Sequence, residues 1–283
     1  MSGTFHRGFT MIELVVAITV TAIVAGFMAA FIGAPLDMYS SQSRRAEMDD
    51  AAENLWRTMR RDLVSAVPYS IRYQSTAAIA VLEILPATDR ARYHTKGSMG
   101  DATKELDTTG PADSNGFDIA VADTSVLNIA ADTKATVLKD SSSNPYASNA
   151  NSTITISGTP GEAHVATTAS VQFAPSPSQQ IYFFNSPVTY LCDLTAQTVR
   201  RYTGYTPTPN QNSVNTAAKL TARGATNSLI ATKVTACGFR MSNPLAGNRG
   251  WLMTTNVTFS AAANTSGSEF VRSFHELNLE NLP

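Results

Sequence analysis

Residues 7–36 read RGFTMIELVVAITVTAIVAGFMAAFIGAPL, and the architecture of the chain follows from them. Between Phe9 and Leu36 the run is almost unbroken apolar sequence with one charge, Glu13. About 20 apolar residues, each rising about 1.5 Å in a helix, cross a hydrocarbon core of roughly 30 Å, so the run is long enough to span a membrane. His6 and Arg7 stand just before it and no acidic residue does, which leaves the N-terminus in the cytoplasm and sends the rest across. The apolar run exceeds the roughly 7–15 residues of a secretory signal core. A carboxylate inside a span costs about 2.5–3.5 kcal/mol on insertion scales, so Glu13 is a candidate functional residue. Taken without its neighbours, it is equally compatible with a charge tolerated near the headgroups.

The order of the flanking residues narrows this. A basic residue, Gly8, Phe9 and then Glu13 four positions on, directly at the edge of a span, resembles the class III signal of type IV prepilins and type II secretion pseudopilins. The resemblance implies cleavage by a prepilin peptidase between Gly8 and Phe9 and N-methylation of the new Phe9 amine. Residues 1–8 are then a leader, 9–36 the transmembrane and assembly half of a long N-terminal helix, and 37–283 the rest of that helix with a single β-rich periplasmic head. It also implies a fold: α+β, type IV pilin-like, the helix packed on an antiparallel β-sheet head with long loops. The implied partners are other minor pilins and a major pilin, met through N-terminal helices, with the bacterial inner membrane holding the subunit before assembly. In such a filament Glu13 pairs with the Phe9 amine of a neighbouring subunit and sets the axial register.

Beyond the span the pattern stays helical. Pro35 is expected to kink or end the helix. Past it, Met48, Ala52, Leu55, Met59 and Leu63 recur at 4, 3, 4, 4 spacing, with Trp56 and Val67 beside them, which predicts a helix face packed on a core. Arg44, Arg45, Asp49, Asp50, Glu53, Arg57, Arg60 and Arg61 cover the opposite face, Glu53 and Arg57 forming a supporting i,i+4 pair. Pro68 is expected to stop the helix. After it, short β-rich runs at 70–73, 79–85, 116–121, 153–156, 180–184, 188–192, 198–202, 229–234, 251–259 and 269–274 alternate with Gly, Pro, Asn and Ser and predict an antiparallel head. Asn185-Ser186-Pro187 is expected to be a hairpin turn. Residues 139–162 and 203–228, rich in Ser, Thr, Asn, Pro and Gly, are expected to be surface loops or partly disordered insertions.

The resemblance extends into the head. Residues 57–72 look like the helix end of larger minor pilins. The runs 181–184, 188–192, 201–205, 236–239 and 249–252, with the C-terminal residues 274–276 and 281–283, are similar to the O-type minor pilins of the mannose-sensitive haemagglutinin pilus system.

The two cysteines, Cys192 and Cys237, exclude a four-cysteine zinc site and leave room for one disulfide. A translocated head sits in an oxidising compartment, where the two are expected to pair at a gain of about 2–4 kcal/mol. Buried free thiols are the alternative, and without a Cys-x-x-Cys arrangement no redox enzyme is indicated.

Composition excludes other classes. Charged residues are 15% of the chain and the formal charge is −1, so no basic excess exists to neutralise nucleic acid. Phosphate-loop, nucleophile-elbow and His-Glu-x-x-His motifs are missing, and the reading is of a protein that is no enzyme and needs no cofactor or metal. His6 falls in the leader; His94, His164 and His275 are expected to be surface or strand residues. Asp101, Glu105, Asp107, Asp113, Asn115 and Asp118 lie in a Gly-containing stretch, but their spacing is not that of an EF-hand, and solvated turns are the better reading. Tyr202, Tyr205 and Trp251 could line a glycan-binding face; strand packing is the more ordinary role. The function expected is that of a minor pilin or pseudopilin acting in filament initiation or at the tip. A tip adhesin or ligand-binding module on a pilin anchor is the alternative.

Overall fold

A computed structural model describes residues 10–93, 117–120, 133–138, 144–147, 152–159, 162–167, 176, 178–242, 251–262 and 268–279. It begins with one helix of 54 residues, α1 (Met11–Val64). Pro35 does not end it. Proline removes one N–H from the ladder at a cost of about 3 kcal/mol, and the turn that follows is braced by Ser40 Oγ and Ser41 Oγ, each donating to a carbonyl three residues back at 2.9 Å. The far end also departs from expectation. α1 stops at Val64, short of Pro68, because the backbone just beyond it is taken by a strand partner. Ala87 N–H donates to Ser65 O at 2.7 Å, Val67 N–H donates to Leu85 O at 2.8 Å, and Ala66 bridges Pro86.

Every strand pair among the described residues of the head is antiparallel, so the α+β layout expected from the sequence is the one observed. One sheet has five strands in the order β1 (Arg72–Ser75), β2 (Ile79–Ile84), β9 (Val188–Asp193), β10 (Thr198–Thr203) and β11 (Thr226–Thr232). A second has three: β12 (Val234–Ser242), β13 (Trp251–Ala262) and β14 (Ser268–Leu279). Between β2 and β9 in sequence the chain makes a closed six-stranded barrel from β3 (Ala87–Tyr93), β4 (Phe117–Ala120), β5 (Lys134–Val137), β6 (Ser152–Thr159), β7 (Glu162–Thr167) and β8 (Gln180–Phe184), in the order β3-β4-β7-β6-β5-β8. β2 and β9 pair directly, Ile84 opposite Val188, so the barrel is an insertion at the tip of a β-hairpin. It sits at the head's end of α1, away from the apolar span.

The main core lies where α1 meets both sheets. The predicted stripe Met48, Ala52, Leu55, Met59 and Leu63 is buried, and it packs on Leu82, Ile84 and Tyr190 of the first sheet and on Phe239, Met253 and Phe259 of the second. Two sequence expectations are corrected in the connections. Residues 185–187 are not a hairpin turn: β8 pairs with β3 and β5, whereas β9 pairs with β2 and β10, so the segment carries the chain from barrel to sheet. Residues 229–234 are not one strand either. Lys233 takes φ 63°, a left-handed conformation that breaks the run and starts β12.

The segment 203–228 is no loose insertion. It holds a 3-10 turn (Gln211–Ser213), a short helix α2 (Ala217–Ala222) and the start of β11. Tyr205, Val214, Leu220 and Ala225 form a second small core on the outer face of β2, β9 and β10. Arg72 ties this segment down. It donates to Thr208 O at 2.7 Å, to Pro209 O at 3.0 Å and to the buried Glu83 at 2.8 Å, and its guanidinium lies 3.6 Å from the ring centre of Tyr146. Tyr146, in the stretch 139–162, is itself buried and donates to Ser70 O at 2.7 Å, and β6 also falls in that stretch, so it too is structured where described.

Candidate functional site

The N-terminal end of α1 is the site the sequence singled out. Thr10 is the N-cap, in extended conformation, and Thr10-Met11-Ile12-Glu13 closes a capping box. Glu13 N–H donates to Thr10 Oγ1 at 3.4 Å, while Thr10 N–H and Thr10 Oγ1 both donate to Glu13 Oε2 at 3.2 Å. The carboxylate satisfies a free backbone donor of the first turn and complements the positive end of the helix dipole. Glu13 therefore has a local partner in its own chain, which the sequence reading missed. The Thr-x-x-Glu signature ahead of an apolar run was the signal that would have found it. Gly8 and Phe9 lie outside the described residues.

From this cap to Met28 the helix surface is apolar apart from Thr19 and Thr21. Met11, Ile12, Phe27 and Phe31 are all more than two-thirds exposed. The window Met11–Met28 has a mean hydropathy of 2.3, and none of it is covered by the rest of the chain. Its hydroxyls are satisfied internally: Thr19 Oγ1 donates to Val15 O and Val16 O at 3.0 Å, and Thr21 Oγ1 donates to Ala17 O at 2.6 Å. Such a helix is stable in lipid or against other apolar helices, and not in water.

A family model described as the prokaryotic N-terminal methylation motif matches residues 5–29. The N-terminus of the chain carries a type IV prepilin-like signal. The motif implies processing by prepilin peptidase and pilus assembly, and the uncovered apolar helix that carries it fits membrane anchoring followed by incorporation into a filament. The motif fits a structural subunit. No curated protein and no solved structure matches the chain.

Other candidate residues fall as follows. Cys192 on β9 and Cys237 on β12 come from different sheets to the main core, and both are free thiols. The neighbouring Cys192 thiol, and then burial, push the Cys237 thiol well above its usual range. Tyr202 and Tyr205 are buried and Trp251 packs against the main core, so the three form no open aromatic face. His164 lies in β7 and His275 in β14, where its ring stacks on Trp56 of α1 at 4.4 Å. His6 and His94, and the acidic stretch apart from Asp118 in β4, lie outside the described residues, and no metal-binding cluster occurs among those described.

Two buried polar groups went unnoticed in the sequence. Asp62, beside the apolar stripe, accepts from Tyr190 Oη and from Arg201 Nε, both at 2.7 Å, and so bolts the end of α1 to β9 and β10. Glu83 on β2 accepts from Arg72 and, at 3.0 Å, from Tyr205 Oη. Burial raises the Glu83 carboxyl above its ordinary value, against the opposing pull of Arg72 and Tyr205.

Proposed function

We propose that the chain is a minor pilin or pseudopilin-like subunit of a type IV pilus-like filament, acting in filament initiation or at the tip. The observation that carries this is the uncovered apolar helix bearing the methylation motif and joined without a break to a folded head. In the inner membrane the helix is solvated by lipid, with the head in the periplasm. It leaves the membrane only against the helices of other subunits, a major pilin or other minor pilins, because about 25 cal/mol is at stake for each Å² of apolar surface. Prepilin peptidase cleaves between Gly8 and Phe9 and methylates the Phe9 amine. On assembly that amine, in a neighbouring subunit, competes with Thr10 for the Glu13 carboxylate, and the charge pair fixes the stagger. A head this large, with an inserted barrel, suits an end position better than a close-packed shaft, and loose likenesses along the head favour the O-type minor pilins of the mannose-sensitive haemagglutinin system. Cys192 and Cys237, already neighbours, oxidise to a disulfide after export.

A second reading has its own support. The barrel is entered beside the C-terminal end of α1, the end away from the span, where an adhesin or ligand-binding module would be displayed. Deleting the gene separates the two: loss of an initiation subunit removes filaments, and loss of an adhesin leaves filaments that no longer attach. Mass spectrometry of the native protein should show N-terminal methyl-Phe9, and an intact Met1 would sink both readings.

A further inference from the structure

The second sheet ends on a strand whose outer edge is open. β14 pairs with β13 over all 12 of its residues without a register shift, and among the described residues no strand pairs with its other side. Long flat edges are usually blunted by a bulge, a proline or a lysine, because their unpaired N–H and C=O groups template a further strand. β14 has none of the three. Its outward side chains include Phe270 and Phe274, 60% and 61% exposed, with Arg272 between them and Glu276 beyond, both also exposed. A cleft of about 390 Å³ runs along this strand. One wall is Asp49, Ala52 and Glu53 of α1, and the other is the consecutive residues 271–275. Successive strand side chains point to opposite faces, so a wall made of residues in an unbroken row is the backbone edge itself. We infer that this edge binds an extended strand of a different protein, added antiparallel to β14 and carrying a basic, an apolar and an acidic residue at alternate positions.

The chemistry of the partner follows from that of the edge. An added strand lies about 4.8 Å from β14, and its backbone groups satisfy those the edge leaves open. Directly opposed side chains on one face of such a pair touch. In antiparallel order the partner meets Glu276 first, then Phe274, then Arg272, which calls for the basic, apolar and acidic residues in that sequence. A second copy of this chain has the same pattern in Arg272-Ser273-Phe274-His275-Glu276 of its own β14. Geometry rules it out as the occupant. α1 runs beside β14 in the same direction, Arg44 donating to Glu269 at 3.0 Å near one end and Trp56 stacking on His275 farther along. Two copies joined antiparallel through β14 would send their apolar helices opposite ways, whereas spans of one kind enter a membrane from the same side. The inference goes beyond the filament reading, since it needs only an anchored span and a folded head.

A synthetic peptide with the sequence of residues 268–279 has the required pattern and no span, and serves as the probe. Labelled with fluorescein, it is titrated into the full-length chain in detergent micelles and followed by anisotropy. Saturable binding is expected, with slowed amide exchange across residues 268–279 of the chain. Arg272→Glu with Glu276→Arg in the chain should weaken binding about tenfold. A peptide carrying the same two reversals should restore it, which also shows that the variant chain is folded. Absent binding, binding indifferent to the reversals, or binding without slowed exchange in β14 overturns the inference. A chain that is dimeric without peptide, and becomes monomeric on Arg272→Glu, would give the edge to a second copy and overturn the assignment to a different protein. Detection of methyl-Phe9 decides the filament reading separately, so failure of one leaves the other standing.

Discussion

Replacing Arg72 with alanine should loosen the head markedly. The side chain is 18% exposed and holds three separate pieces: the carboxylate of Glu83, which is fully buried, the carbonyls of Thr208 and Pro209, and the ring of Tyr146. Stripping one partner from a buried ion pair costs about 3–5 kcal/mol. Each carbonyl that loses a charged donor adds about 1 kcal/mol, and the cation–ring contact about 0.5–2 kcal/mol. The terms share one side chain and do not add, so Arg72→Ala should lose about 4 kcal/mol, a large part of the total of about 5–15 kcal/mol for a folded domain. Burial dominates the upward shift of Glu83, which means that the pair is expensive to bury even when made. Arg72→Met with Glu83→Gln should therefore be less damaging than Arg72→Ala alone. Urea unfolding of the full chain in detergent, followed by near-ultraviolet circular dichroism, measures the loss. Limited trypsin digestion reads the local effect, since release of the segment around Thr208 should loosen the backbone at Lys219 and Arg223, whose side chains are already exposed, and speed cleavage there. A loss below about 1 kcal/mol for Arg72→Ala, or a double variant no better than the single, would refute the account of Arg72 as a clamp on a buried charge.

The same carboxylate gives a pH prediction. Because folding raises the Glu83 value above 4.5, its contribution to stability is full below that value and is lost as pH rises through the folded value; the urea midpoint of the native chain relative to Glu83→Gln should fall accordingly, and a constant difference would count against it. Glu13 can be divided into its two roles by substitution. Glu13→Gln keeps the capping box but not the charge, and Glu13→Val keeps neither; both should be cleaved and inserted, and if charge pairing is the function both should reduce incorporation about 10²-fold, whereas a fully active Glu13→Gln would leave capping as the sole role. Non-reducing peptide mapping of the exported protein should recover Cys192 joined to Cys237, and free alkylation of both in the folded state would exclude the bond.

The helix and its packing were legible because a period of 3.6 is a local property: Met48 through Leu63 announce their face without reference to anything else. Strands whose residues are individually apolar or β-branched, such as β8 and β9, were legible for the same reason. β3 was not. Ala87-Thr88-Asp89-Arg90-Ala91-Arg92-Tyr93 has no alternation of its own and is held in place by β8, with Ala91 opposite Ile181. The four residues of β5 are likewise set by β8. Lys233 hid the division of β11 from β12, since no glycine or asparagine marks its left-handed turn. The segment 203–228 has the composition of a loop, and its structure comes from a few well-spaced anchors, Tyr205, Val214 and Leu220, that a composition count dilutes. At the N-terminus the signal residues are legible as a pattern, but the cost of a carboxylate in a span points to a charged partner in another subunit and away from the capping partner, Thr10, that lies three residues back.

The insertion of the barrel into the β2–β9 hairpin bears on how the head folds after export. An exported chain delivers β2 early and β9 only after about 100 further residues, and closing a flexible loop of that length costs about 2–3 kcal/mol more than closing one of a few residues. The first and last barrel strands, however, pair with each other, Ala87 opposite Phe184. Once the barrel has closed, Ile84 and Val188 are held at the base of a short tether, and the central pair of the sheet forms as though the intervening chain were a tight turn. Folding of the distal module then sets the pace for the proximal one. Until it is complete, β2 presents an open edge, the moment at which the chain is most exposed to misassociation and to proteolysis.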